Sequence, residues 1–379
     1  MDDRKVSPAE KNTFLIGIVL GLVTLYLVSI SSKTNTKFDE LALGKETSSY
    51  FGKVENLYVH CSDENDLDFC LNSYFSYGKK KDVTLWLGNS QLHAINQFKQ
   101  GQETATVKLH KLAKKYNKYL ISVSQPNANL QEHFLLTAYL IKKLPIKNII
   151  LPVVFDDMRE DGIRFTLKYL LHDQKTINLI KDHEIGKKLL TQYKNSNINK
   201  VKNKHENLQD KSESYLNKKL SNIWPLWSER SQFRGSLFNF LYRLRNYVFQ
   251  INPSTSRKIL PGEYKKNFQA LKSLIEISKE HQIKLMIYNV PIRNDVKIPY
   301  DVEEYSNFKK NLTSLSNQNS LKFLNLEKII PNNLWGKKAS TTISKNKELD
   351  FMHFKERGHE ILAKTLYFEM INHLKGTVK

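Results

Sequence analysis

Residues 83–92 read VTLWLGNSQL, an apolar run that gives way to a glycine and then to three polar residues. Val83–Leu87 has the length and the β-branched and aromatic content of a buried strand. Gly88 permits a tight exit from it. The turn Gly88-Asn89-Ser90-Gln91-Leu92 then leads towards a helix, which sets Ser90 near a helix N-terminus with backbone N–H groups close by. Taken alone, Ser90 reads equally well as an ordinary N-cap.

The same grammar repeats outward along the chain. Tyr119–Val123, Asn148–Phe155, Lys284–Val290 and Leu321–Leu326 are strand-length apolar runs bounded by polar or turn residues. Gln102–Tyr116, Leu130–Lys143, Tyr264–His281 and Tyr305–Ser316 carry helical periodicity between them. Alternation of this kind predicts an α/β fold in which helices cover a parallel sheet. Such sheets place their chemistry at the carboxyl ends of the strands.

The far end of the chain supplies what Ser90 lacks. Asp350-Phe351-Met352-His353 precedes a terminal helix expected from Glu360. An aspartate three residues before a histidine can meet its Nδ1 across one turn, leaving Nε2 to take a proton from a serine that the sheet brings close. Ser90, His353 and Asp350 are therefore the candidate nucleophile, base and orienting acid.

A Gly-x-Ser turn after the first strand and Asp-x-x-His before the last helix resemble the SGNH hydrolase superfamily, with Asn89 where that family usually has aspartate. The resemblance runs from about Asp82 to the C-terminus. It implies a three-layer, flavodoxin-like α/β domain and chemistry through an acyl-serine. The family also places a glycine after the second strand and an asparagine after the third, to complete an oxyanion hole. Here the second position reads Ser124-Gln125-Pro126-Asn127-Ala128-Asn129 and the third Asp156-Asp157-Met158-Arg159. Asn127, Asp157 and Arg159 are the candidate oxyanion or substrate contacts. Asn127 reads equally as a turn residue capping the next helix, and Asp157 and Arg159 as a solvated loop with internal ion pairs.

Thr13–Ile30 is uncharged for eighteen residues and would span about 27 Å as a helix, close to the hydrocarbon thickness of a bilayer. A cleaved signal peptide has a shorter apolar core, so a single-pass anchor is expected, behind a tail over 1–12. Lysines flank the run on both sides and leave its orientation open. The expected plan is a linker over 31–80 leading into an α/β domain over 81–379, with a helical insertion over about 171–262. SGNH-like domains behind one anchor are similar to the accessory proteins of cell-envelope acylation, such as the D-alanyl transfer protein of teichoic-acid modification and the alginate O-acetylation proteins. That likeness implies an extracytoplasmic domain, periplasmic or at the cell surface. It also implies a multispanning membrane-bound O-acyltransferase as partner and an envelope polysaccharide or polymer as acceptor.

The 379 residues carry a formal charge of +21, which favours acidic surroundings without choosing among them. No RRM, KH, helix-turn-helix or zinc motif accompanies the charge, so nucleic acid is not an expected partner. Two cysteines and eleven histidines without an HExxH or CxxC pattern give no reason to expect a metal or other cofactor. Cys61 and Cys70 could close a small disulfide loop outside the cytoplasm. His93, His133 and His359 read as packing or surface residues. Within the insertion, Ile223–Phe249 interleaves aromatics with Arg230, Arg234, Arg243 and Arg245, a pattern suited to a membrane interface, a partner groove or a packed amphipathic helix. Two function classes follow: a membrane-anchored serine acyltransferase or esterase, and a non-catalytic adaptor that keeps the fold to bind a membrane enzyme or polymer.

Overall fold

A computed structural model describes residues 52–61, 67–77, 81–95, 98–99, 101–202, 240–252, 254–338, 341 and 347–375. The chain divides into two units, 46–204 with 253–338 and 347–379 in the larger, and 1–45 with 205–252 and 339–346 in the smaller.

The larger unit is a mixed α/β domain around a seven-stranded sheet. Its strands are β1 (Gly52–Val54), β2 (Leu57–Cys61), β3 (Val83–Gly88), β4 (Tyr119–Ser124), β5 (Ile146–Val153), β6 (Lys284–Asn289) and β7 (Lys322–Asn325). They are ordered β1-β2-β4-β3-β5-β6-β7, and every pairing except β1 with β2 is parallel. A separate antiparallel pair is formed by β8 (Trp335–Lys338) and β9 (Glu348–Phe354).

Period-two alternation in the central strands divides their side chains between two cores. Leu85, Leu87, Ile121, Val123, Ile149, Leu151, Leu285 and Ile287 point to one, whereas Trp86, Leu120, Ile150, Met286 and Tyr288 point to the other. On the first face pack α1 (Leu67–Ser76), α3 (Leu130–Ile141), α4 (Gln174–Ile180), the start of α5 (Glu184–Lys202), α6 (Pro261–Glu280) and α7 (Val302–Gln318). On the second lie α2 (Ala105–Lys114) and α8 (Glu356–Lys375). The result is three layers. Each fully buried Leu or Ile contributes roughly 1.5–3 kcal/mol, so strands without a polar face are held firmly in register.

Three boundaries differ from the sequence reading. Residues 52–76, assigned to a linker, supply β1, β2 and α1: β2 adds to the edge of β4 through His60 and Ser122, and β1 covers it as a short hairpin. Cys61 and Cys70 are joined by a disulfide that ties β2 to α1. The insertion also begins later than 171. Leu171, Ile180, Ile185 and Leu189 are core residues, which places α4 and the start of α5 within the domain. The terminal helix starts at Glu356 rather than Glu360.

Of the smaller unit, the description covers a helix over 240–248, its exit to 252, and Thr341. Asn246 Nδ2 donates to the Thr341 carbonyl at 2.9 Å. Phe240, Leu241, Tyr247, Val248 and Phe249 are exposed. The expected anchor at 13–30 and residues 223–239 lie outside the described residues. Among the described residues no helix is long and apolar enough to cross a membrane.

Candidate active site

Within the run β4-β3-β5-β6-β7, β4 follows β3 in the chain but lies on the opposite side of it from β5, β6 and β7, so the chain reverses direction across the sheet between β3 and β5. Ligands of open α/β sheets bind at such a switch point, beyond the carboxyl ends of the strands. The Ser90 turn leaves β3 there. Gly88 is demanded by contact: a Cβ on it would run into Leu92 Cδ1 and lie 3.2 Å from Ser124 Cβ. Ser90–Leu92 form one turn of 3-10 helix, capped by Asn89, whose Oδ1 accepts the Gln91 N–H at 3.0 Å. The Leu92 N–H bonds to the Asn89 carbonyl and the His93 N–H to that of Ser90. Ser90's own N–H is engaged by none of the described residues.

Asp350 and His353 reach the turn on β9. In a regular strand, residues three apart face opposite sides. Here Trp335 pairs with Phe354 and Lys337 with Leu349, so five steps along β9 oppose two along β8. The surplus residues form a bulge, and within it Asp350 Oδ1 accepts the N–H groups of Met352 and His353, each at 3.0 Å. That local turn brings His353 Nδ1 to 2.8 Å from Asp350 Oδ2, while His353 Nε2 lies 3.0 Å from Ser90 Oγ. All three side chains are buried.

Burial works against ionising Asp350, but attraction and hydrogen bonding from His353, together with Lys338 and the Met352 N–H, outweigh it and hold the carboxyl at about 2. An ionised carboxylate only accepts, so His353 Nδ1 carries its hydrogen and Nε2 presents a lone pair to the Ser90 hydroxyl. The arrangement can draw the serine proton onto the ring as Oγ attacks a carbonyl.

Asp157 joins this group from the loop after β5, where Asn89 Nδ2 donates to its Oδ2 at 2.8 Å. Its carboxyl is buried, and burial raises its pKa well above the usual carboxylate range. Arg159 and Asn127 are linked to the Ser90 group by no hydrogen bond. Arg159 is about one-third exposed, its Nη1 3.8 Å from Asp156. Asn127 is exposed at φ 54°, the left-handed backbone that asparagine tolerates, while the helix cap itself is Asn129, in a capping box with Glu132.

Two features have no signal in the linear sequence. Gln91 Nε2 donates to the carbonyls of Pro291 and Met352, both at 2.9 Å, and so ties the Ser90 turn to β9. Beside the turn, Ser124 Oγ lies 2.6 Å from His60 Nε2 and 2.9 Å from His93 Nε2, entirely inside the protein. His359 is also buried and accepts the Ala105 N–H on Nδ1 at 3.1 Å. Burial depresses all three rings, His93 to about 4 and His359 to about 3. They are neutral packing groups. Among the described residues no cluster of three His, Cys, Asp or Glu is placed to hold a metal ion.

The fold and this geometry define a mixed α/β protein with a buried, hydrogen-bonded serine, histidine and aspartate at its sheet's switch point. The sequence matches no family model and no curated protein. Among solved structures, the chain is similar to a "putative acylhydrolase" from Bacteroides fragilis, with a TM-score of 0.36 and 10% identity over 78% of this chain and 91% of that one.

Proposed function

We propose that the chain is a membrane-anchored serine acyltransferase or esterase acting on cell-envelope polysaccharide. One observation carries the reading: Ser90 Oγ, His353 Nε2, His353 Nδ1 and Asp350 Oδ2 form a continuous relay with gaps of 3.0 and 2.8 Å. Ser90 Oγ bonds to the acyl carbonyl carbon as its proton passes to His353, and the unengaged Ser90 N–H receives the oxyanion. Collapse expels the donor alcohol, which takes the proton from His353. An acceptor hydroxyl, or water, then attacks the acyl carbon as its proton passes to His353, and Ser90 Oγ leaves and takes that proton back from His353. Arg159, partly exposed at the carboxyl end of β5, is the proposed grip on an anionic substrate, with Asn127 on the neighbouring loop.

The apolar run at 13–30, the +21 charge and the Cys61–Cys70 bridge support an anchored domain in an oxidising, extracytoplasmic setting beside anionic polymer. The exposed apolar side chains at 240–249 suit contact with lipid or with a multispanning O-acyltransferase that delivers the acyl group.

A fluorophosphonate probe, followed by peptide mass analysis, tests the reading. Wild-type protein is expected to be labelled at Ser90, and His353→Ala to lose labelling while remaining folded. Cells carrying a normally expressed Ser90→Ala chain are expected to lose envelope acylation. Full acylation in those cells would assign the adaptor role instead.

A further inference from the structure

The bulge that joins Asp350 to His353 stands opposite a single residue of β8. Trp335 pairs with Phe354 and Lys337 with Leu349, which leaves Gly336 to face Asp350, Phe351, Met352 and His353. A bulge of this size takes carbonyls out of the β8–β9 ladder, and buried carbonyls need donors from elsewhere. Gly336 and Phe351 are both buried. The loop leaving β6 serves both of them from one residue: the Arg293 backbone N–H donates to the Phe351 carbonyl at 3.1 Å, and Arg293 Nη1 donates to the Gly336 carbonyl at 3.2 Å. One arginine therefore spans the two sides of the bulge. Its side chain is itself held, because Nε and Nη2 donate to Asp295 Oδ1 and Oδ2 at 2.7 and 2.9 Å, a two-pronged pair that fixes the guanidinium plane. Arg293 is buried, whereas Asp295 is partly exposed. Two residues earlier, the Pro291 carbonyl accepts Gln91 Nε2, so the same loop reaches the Ser90 turn as well as the bulge.

We propose that Arg293 is a positioning residue for the reaction: by bridging Gly336 and Phe351 it holds the bulge in which Asp350 Oδ2 meets His353 Nδ1, and so sets the base against Ser90. This rests on the acyl-serine reading and deepens it. Arg293 acts through the strand partner and the chain neighbour of Asp350, not on the reacting atoms. Without the guanidinium, the buried Gly336 carbonyl loses that donor, and the strand pair recovers a partner for it by shifting or shortening the bulge. In a regular strand residues 350 and 353 face opposite sides, so such a shift carries His353 away from Asp350. The fork matters as much as the charge. A lysine at 293 would stay cationic but has one nitrogen, which cannot grip both Asp295 oxygens in a plane and still reach Gly336.

Two measurements on the full-length protein test this: turnover of p-nitrophenyl acetate, and the proton NMR spectrum. The hydrogen that His353 Nδ1 shares with Asp350 is expected to give a far-downfield resonance in the wild type that is absent in His353→Ala. Arg293→Lys is expected to lose that resonance and to lower kcat by about ten- to a hundredfold, with KM within about twofold. Asp295→Asn keeps one prong of the pair and lies nearer the surface. It is expected to lower kcat by about three- to tenfold with a weakened resonance, and it carries the test if Arg293→Lys does not fold. Wild-type kcat in folded Arg293→Lys or in Asp295→Asn, or a low kcat beside an unchanged resonance, overturns the proposal. Full turnover by Ser90→Ala would bring down the acyl-serine reading, while the resonance would still decide whether Arg293 holds His353 on Asp350.

Discussion

Gln91 Nε2 donates to the carbonyl of Met352 at 2.9 Å, and Met352 is the chain neighbour of His353. The same nitrogen donates to Pro291, just beyond β6. A single buried amide, adjacent to Ser90, thus latches the Ser90 turn to the bulged strand that carries His353. Relays of this kind fail when their members drift by an ångström, because proton transfer and attack both depend on near-contact geometry.

Gln91→Ala is therefore expected to lower kcat by about ten- to a hundredfold with little change in KM. Two carbonyls lose their donor, so stability should fall by about 1–3 kcal/mol. Gln91→Glu should give no rescue, since an ionised carboxylate offers no hydrogen to either carbonyl. Steady-state kinetics with urea unfolding checks this. A kcat within twofold of wild type would show that the latch does not set the distance between Ser90 and His353.

Gly88→Ala tests the close packing beneath the same turn. The added methyl would meet Leu92, itself buried, and then the Ser124 side chain, so either Leu92 or the turn must move. The expected cost is about 1–3 kcal/mol, the usual penalty of overpacking, with activity falling further than stability because Ser90 is displaced. Equal probe labelling of Ser90 in the variant and wild type would show that Leu92 alone gives way.

What the sequence discloses and hides follows from the range of the interactions. Strands β3 to β6 are buried on both faces, so their apolar runs announce them, and Ser90, Asp350 and His353 stand beside recognisable elements. The edge is different. β1 and β2 are three and five residues long, and His60 sits in β2, so no long apolar run marks them. The bulge in β9 depends on its register against β8, a tertiary property that spacing cannot show. The Asn89 and Asp157 side chains, 68 residues apart, and the Gln91 amide with the Met352 carbonyl, 261 residues apart, are bridged only once the sheet has formed.

The buried histidines give the fold a defined acid weakness. Burial lowers His60 well below the ordinary 6.5, His93 to about 4, and His133 and His359 each to about 3. A base with a depressed folded pKa binds fewer protons folded than unfolded, so its contribution is fully present above 6.5 and is lost as pH falls from 6.5 towards the folded value. Each such histidine removes up to about 1.4 kcal/mol per pH unit within that window. His133 is the cleanest to test, because its Nδ1 has no hydrogen-bond partner inside α3's packing. His133→Leu is expected to match or exceed wild-type stability at pH 5 and to flatten the slope between about pH 4 and 6 by about 1.4 kcal/mol per unit. Urea unfolding at several pH values, with m held common, measures it. Parallel stability profiles for the two proteins would mean that His133 titrates normally, through a local opening that lets water reach the ring before the domain unfolds.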